Sequence, residues 1–262
     1  MPATRQPLSV VIITLNAASQ LAACLASVRF ADEVVVVDSG STDGTRELAL
    51  AAGARVIEQD WLGFGRQKQF AVEAACHDWV LCLDADERVS EALRRALENA
   101  LKSPSTVTAY RFPRCNRFLG RYLRYGEGYP DWSLRLFDRR QARWSDDAVH
   151  EKVIAQGAVG TLSGDLLHDS AETLASYLNK QNRYTSLAAE MAVAAGKRAG
   201  AGRVLFSPLV RFVKFYLVRQ GFRDGLPGLI HIVIGCFNSF IKYAKMRELT
   251  LARGAEPKDG QG

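Results

Sequence analysis

The stretch Glu33–Thr45, EVVVVDSGSTDGT, decides the fold. Four consecutive valines with no polar residue between them describe a strand covered on both faces, as in a parallel sheet. Asp38 ends the run, and Ser39, Gly40, Ser41, Thr42, Asp43 and Gly44 follow it. A tight turn needs two such residues rather than six. The stretch therefore reads as a strand tip bearing a binding loop. Upstream, Val10–Leu15 (VVIITL) is a second buried strand, and Ala17–Val28 has helical periodicity, with Leu21, Leu25 and Val28 on one stripe. Downstream, a helix over Thr45–Ala52 closes at Gly53, a short strand covers Arg55–Glu58, a helix covers Gly65–Ala75, and Trp79–Leu83 (WVLCL) is a fourth buried strand. Ser90–Lys102 is an amphipathic helix with Ser90 as its N-cap. This alternation predicts an α/β fold with a mostly parallel sheet. Ligands bind such sheets at the carboxyl ends of the strands. Thr14 and Asn16, Asp38 to Asp43, and Asp84 to Glu87 all stand there.

Beyond Thr106 the pattern is irregular. Ala109–Pro113 and Ser133–Phe137 are short strands, and Asn116–Asp131, rich in Gly, Tyr and Arg, reads as a mobile loop. Ala148–Val153 contains the dipeptide His150-Glu151, and Glu172–Ala195 is helical. The glycine-rich segment 196–202 divides the chain into a domain over 1–195 and a helical extension over 196–262.

Asp84-Ala85-Asp86 is the sharpest local feature. Alternate residues of an extended segment point the same way, so both carboxylates can face one cation. A hard divalent ion such as Mg²⁺ or Mn²⁺ takes carboxylate and phosphate oxygens together. The blander reading is a helix-capping Asp among solvated acids.

Three motifs together, SVVIITLNAASQLAACLASV, EVVVVDSGSTDGT and WVLCLDADE, resemble the nucleotide-sugar domain of the inverting glycosyltransferases of family 2, which have the GT-A (Rossmann-like nucleotide-diphospho-sugar transferase) fold. WLGFGRQKQFAVEAA (61–75), GYPDWSLRLFDRR (128–140) and WSDDAVHEKV (144–153) narrow the resemblance to the β-1,4-glucosyltransferases of bacterial lipopolysaccharide core biosynthesis. The resemblance implies a divalent metal (Mg²⁺ or Mn²⁺), a UDP-sugar donor, UDP-glucose foremost, and a lipid-linked saccharide acceptor such as the inner-core heptose. It implies that Thr14, Leu15 and Asn16 lie under the nucleotide, and that Asp38 binds uracil or ribose with Ser39, Ser41 and Asp43 nearby. Lys68 would approach base or phosphate, Asp84 and Ala85 the ribose or sugar, and Asp86, with Asp84, the metal. Arg135 is a diphosphate or acceptor contact, or else a surface ion pair.

An inverting transfer needs a base for the acceptor hydroxyl. The family takes it from an acid after the central loop, where Asp131 stands in GYPDW. The usual Glu-Asp pair is absent, since Pro130 precedes Asp131. Glu151 competes for the role, and His150 beside it could hold metal or diphosphate; Asp146 and Asp147 are weaker candidates. Trp132 could stack on a sugar or belong to the core. His77, His168 and His231 read as structural.

The 262-residue chain is 48% hydrophobic and 24% charged, which excludes disordered, collagen-like and coiled-coil classes. Five cysteines without a CxxC pair fit a reducing cytoplasm. MPATRQPLSVVIITLN has no signal-peptide layout. The net charge of +6 is uneven: between Gly196 and Arg253, eleven Lys and Arg meet only Asp224 and Glu248, leaving the rest at −3. Val204–Val218 sets Arg211 and Lys214 among large apolar residues, and Gly225–Ile241 has no charged residue but is broken by Pro227-Gly228. The second run is marginal as a spanning helix. Cations and aromatics together suit helices lying on an anionic membrane surface; the resemblance to lipopolysaccharide core enzymes implies that this surface is the cytoplasmic face of a bacterial inner membrane, with the protein peripheral to it. No nucleic-acid motif is present. The alternatives are transfer to polyprenyl phosphate or another envelope glycan, a nucleotidyltransferase, which lacks its basic glycine-rich phosphate loop here, and a non-catalytic membrane-bound nucleotide-sugar-binding protein.

Overall fold

The computed structural model describes residues 5–102, 106–147, 151–170 and 173–255. His150 lies outside the described residues. The chain forms two compact units, one of Met1–Asn116 with Pro130–Asp169, the other of Arg117–Tyr129 with Ser170–Gly262. The division falls before the one expected at 195/196. The reason is packing: Ala189 and Val193 of the helix Leu174–Ala194 share a buried cluster with Met246 near the C-terminus.

In the first unit, β1 (Leu8–Thr14), β2 (Glu33–Asp38), β3 (Arg55–Glu58) and β4 (Trp79–Asp84) pair in parallel in the order β3-β2-β1-β4. All seven residues of β1 are buried. Successive side chains feed two cores. Val10, Ile12, Val36, Leu81 and Leu83 meet Leu21 and Leu25 of α1 (Ala18–Ser27), Ala49 of α2 (Thr45–Ala51), and Leu93 and Leu97 of α4 (Glu91–Lys102). Val11, Ile13, Val35, Val37, Val80 and Cys82 meet Ala71 and Val72 of α3 (Phe64–Ala74). Gly53 has φ +83°, as a helix-ending glycine requires, and Ser90 Oγ accepts from the Leu93 amide at 3.3 Å.

The irregular middle is more strand than loop. β5 (Glu87–Val89) follows β4 at once; β6 (Val107–Phe118) runs well past the expected strand and turns back through β7 (Arg121–Tyr122). β8 (Asp131–Asp138) lies antiparallel between β4 and β6. β9 (Ala142–Trp144) and β10 (Val153–Ala155) make a separate hairpin. β11 (Ala158–Thr161) and β12 (Leu166–His168) add to β6 in parallel, and β12 pairs with β5. β5, β7 and β9 to β12 are only two to four residues long, which defeats periodicity as a signal.

The amino ends of the parallel strands are pinned by Glu33. Its carboxylate accepts from Ser9 Oγ (2.5 Å), the Cys76 amide (2.7 Å) and Arg55 Nη2 (2.8 Å), joining three strands and the segment that leads into a fourth. Burial opposes the charge, yet these donors hold the Glu33 carboxyl down to about 2.

In the second unit, α5 (Leu174–Ala194), α6 (Ala201–Phe212) and α7 (Gly225–Ala255) pack together, with a π-helical turn over Val213–Val218 and a 3₁₀ turn over Gly221–Asp224. Asp224, 2% exposed, accepts from the amides of Arg124 (3.0 Å) and Tyr125 (2.8 Å).

Because the Glu33 carboxyl is lower in the folded chain, its stabilisation is complete above the ordinary value of 4.5 and is lost as pH falls toward about 2. Glu33→Gln should cost about 1 kcal/mol at neutral pH. Urea unfolding of both chains should show the gap closing below pH 4.5.

Candidate active site

The carboxyl ends of β1, β2 and β4 lie side by side, with Thr14 opposite Asp38 and Ile13 opposite Asp84. The expected convergence is thus present, at the point where the strand order reverses around β1.

The first two strand ends are knitted together. Asn16 sits at φ +49°; its amide donates to Ser41 Oγ (2.8 Å) and its Oδ1 accepts from the Thr42 amide (2.8 Å). Asp43 accepts from Thr45 N (3.1 Å) and Ala18 N (3.1 Å). Asp38 is fully buried and braces its own turn, accepting from Gly40 N (3.0 Å), Ser41 N (2.8 Å) and Ser41 Oγ. A carboxylate has about four acceptor sites, so one remains on Oδ1. Ser39 Oγ accepts from buried Gln67 (3.0 Å), Leu15 is half exposed, and Thr14 Oγ1 is buried without a partner.

At the third strand end the chain is not extended. β4 stops at Asp84, residues 85 and 86 turn, and β5 begins at Glu87. The two carboxylates therefore reach different partners. Asp84 lies between Arg135 Nη2 (2.9 Å) and Lys68 Nζ (3.3 Å), whereas Asp86 Oδ2 lies 3.2 Å from His168 Nε2. Ala85 between them is buried.

The antiparallel course of β8 delivers Arg135 to this place, since its first residues lie beyond the end of β4. Arg135 is buried rather than on the surface, and Nη2 also meets Glu87 Oε1 at 3.0 Å. Burial opposes the Asp84 charge, but Arg135 and Lys68 hold its carboxyl well below the usual range. Burial pushes the Glu87 carboxyl up, against Arg135 and with help from Asp84. Lys68 is a buried residue of α3; Nζ also meets Glu151 Oε1 at 3.0 Å. The Trp144 ring carries both cations, 4.9 Å from Lys68 and 5.5 Å from Arg135, and its Nε1–H donates to Cys82 Sγ at 3.4 Å.

Asp131 opens β8 opposite Arg114 of β6. Arg114 Nε (2.9 Å) and Nη2 (2.8 Å) and Asn116 Nδ2 (3.5 Å) all approach Asp131 Oδ2, leaving Oδ1 unengaged by them. Asp146 and Asp147 are exposed, and Trp132 is exposed under Arg111 (5.2 Å) rather than in the core.

His168 was invisible to spacing. Its partner stands 82 positions away in the sequence, and only the β5–β12 pairing joins them. Its Nδ1 donates to Asn116 Oδ1 at 2.7 Å, which turns Nε2 toward Asp86. The signal available was a histidine before an aspartate in LLHDS.

These charges sit in a sheet that matches solved enzymes. The sequence matches the family Glycosyl transferase family 2 over residues 9–157. The chain belongs to glycosyl transferase family 2. It is 34% identical over 247 residues to the lipopolysaccharide core biosynthesis glycosyltransferase LpsC of Rhizobium meliloti, covering 92% of each chain. It is 31% identical to the uncharacterized glycosyltransferase RT0209 of Rickettsia typhi, over 93% of this chain and 88% of that one. The mannosyltransferase PcManGT of Pyrobaculum calidifontis, solved with GDP-Man and Mn²⁺, superposes with TM-score 0.52 at 18% identity, over 97% of this chain and 89% of that one. The fold of the family 2 chain is thus the GT-A fold with a helical C-terminal segment, and the chain is a glycosyltransferase.

The glycosyltransferase's own residues fit a metal and a diphosphate. Among the described residues no cluster of three or more His, Cys, Asp or Glu side chains is arranged around one point. Asp86 and His168 form a pair of oxygen and nitrogen donors, with the imidazole oriented from behind, as in metal sites. Five carboxylates (Asp84, Asp86, Glu87, Asp131, Glu151) face three cations (Lys68, Arg114, Arg135), an excess of negative charge that suits a divalent ion. Thr14 Oγ1 and Arg135 Nη1 are buried donors without partners, ready for ligand oxygens.

Gly65 of α3 sets the height of the loop carrying Glu151: a Cβ there would collide with the Ser145 carbonyl and come within 3.4 Å of Glu151 Cβ. Gly65→Ala should lower transfer activity roughly 10²-fold by displacing that loop, while costing about 1–3 kcal/mol in urea unfolding. Wild-type turnover would show that the loop position is immaterial.

Proposed function

We propose that this glycosyltransferase is an inverting, divalent-metal-dependent hexosyltransferase. It moves glucose from UDP-glucose to a lipid-anchored saccharide, the heptose of a lipopolysaccharide inner core, while held peripherally at the cytoplasmic face of a bacterial inner membrane. The observation that carries the reading is the strand-end cluster: the Asp86–His168 pair beside Asp84, Lys68 and Arg135. Likeness to LpsC supports the acceptor class.

Thr14, Leu15, Asn16, Asp38, Ser39, Ser41 and Asp43 form the cradle for the nucleotide, with Asp38 offering its remaining acceptor site to a base N–H. Lys68 and Arg135 are the fixed cations nearest the diphosphate, and Arg135 has an N–H to give. Asp86 and His168 are the residues that would hold the metal. Bound there, a divalent ion supplies Lewis-acid neutralisation of the leaving group's charge. Asp131 takes the proton of the acceptor hydroxyl on Oδ1, while Arg114 fixes its other oxygen. Glu151 is the less favoured base because its carboxylate is committed to Lys68 and is 20% exposed, against 38% for Asp131.

Calorimetry should show UDP and UDP-glucose binding with Mn²⁺ or Mg²⁺ and not with EDTA. Asp86→Ala and His168→Ala should each weaken that binding roughly 10²-fold; binding that ignores metal would sink the metal assignment. Asp131→Asn should cut kcat roughly 10²- to 10⁴-fold with UDP affinity unchanged. The same pattern in Glu151→Gln, with Asp131→Asn active, would move the base to Glu151.

A further inference from the structure

The α6 helix and the π-helical turn that follows it contain no buried residue. Leu205, Phe206, Leu209, Val210, Leu217 and Val218 keep between 54% and 73% of their surface exposed. Their spacing is close to four residues, and Val213, half exposed, fills the gap between Leu209 and Leu217. On an α-helix of 3.6 residues per turn such a row winds slowly round the axis. The π turn closes its hydrogen bonds one residue farther along. Its wider turn brings Leu217 and Val218 back toward the row begun by Leu205. The departure from α-helix thus keeps one apolar face continuous across 205–218.

Charge identifies the occupant. Between Ala201 and Arg223 there is no Asp or Glu and there are five cations. Arg211 is taken by Glu127, Nε to Oε2 at 3.0 Å. Among the described residues Arg203, Lys214, Arg219 and Arg223 meet no carboxylate: Arg203 lies over the Tyr243 ring, Lys214 over Phe215, Arg219 donates to Tyr129 O, and Arg223 to Gln220 Oε1. A second copy docked on this face would bring like charges together. A bilayer with anionic headgroups supplies both the apolar medium and the counter-charge.

Composition alone nominates a different element. The span Gly221–Ala252 is the one described helical stretch long and apolar enough to cross a membrane. But Ile232 and Met246 on it are buried, and α7 packs against both α5 and α6. These contacts anchor one side of α7, while Leu226, Val233 and Phe237 on it remain exposed; α6 and the π turn have no buried residue at all.

We propose that the apolar face of α6 and the π turn is the element that enters the interface of an anionic bilayer, with α7 held against α5 and α6 rather than crossing the membrane. This rests on the peripheral membrane location proposed above and names the surface responsible. Sedimentation with phosphatidylcholine vesicles, with and without phosphatidylglycerol, tests it on the full chain. Wild type should bind the anionic vesicles and scarcely bind the neutral ones. Leu209→Glu should weaken binding by at least about tenfold, whereas Phe237→Glu, on an exposed position of α7, should not. Circular dichroism and UDP binding of each variant establish that the fold is kept. Leu217→Trp should shift its fluorescence to the blue on anionic vesicles. If wild type binds and Leu209→Glu binds equally well, with no shift at Trp-substituted 217, the assigned face is wrong while the peripheral location stands. If wild type binds no vesicle, both fall. Dimers that Leu209→Glu dissolves, without vesicle binding, would make the face a contact between copies.

Discussion

A guanidinium buried between two carboxylates fixes the geometry of the site. Arg135 reaches Asp84 at 2.9 Å and Glu87 at 3.0 Å, and Glu87 in turn accepts from the Asp84 amide at 3.0 Å. Burying such groups costs several kcal/mol each, recovered only when the pairing is close and other hydrogen bonds are satisfied. Strand β8 must therefore run antiparallel beside β4 and in this register, or the charges are stranded. With Arg135 in place, Asp84 can share Lys68 with Glu151, and the turn 85–86 is free to send Asp86 toward β12.

The parallel half of the sheet was legible because its strands are buried on both faces and leave apolar runs in the sequence. Val10–Leu15, EVVVVD and WVLCL carry that imprint, and the polar residues after each marked the rim. The second half left no such imprint. β5, β7, β11 and β12 are too short for periodicity, and the partners they bring together lie far apart along the chain. That is why His168 read as structural and Trp144 went unremarked, and why DAD read as an extended pair when it is a strand end followed by a turn. Lys68 shows the limit from the other side. Its place in GRQKQ gave no sign of burial; the acids that compensate it come from residues 84 and 151.

The helical unit obeys a different economy. Its interior is made by α5 and α7, with small clusters such as Ala189, Val193 and Met246. Two of its acids serve structure: Asp224 is buried against the amides of Arg124 and Tyr125, and Glu127 pairs with Arg211. The basic excess read from composition is thus an excess at the surface.

The Glu33 clamp also acts on the exposed cysteine of the first unit. Of its four cysteines, Cys24, Cys82 and Cys115 are buried and Cys76 alone is exposed. Burial pushes the Cys82 thiol up to about 12. Cys76 has no burial to protect it, but its thiol lies against the Glu33 carboxylate, which raises it above its ordinary value. The thiolate is the species that alkylating agents and peroxides attack. The residue that ties the amino ends of the strands together therefore also disfavours the thiolate of the exposed Cys76.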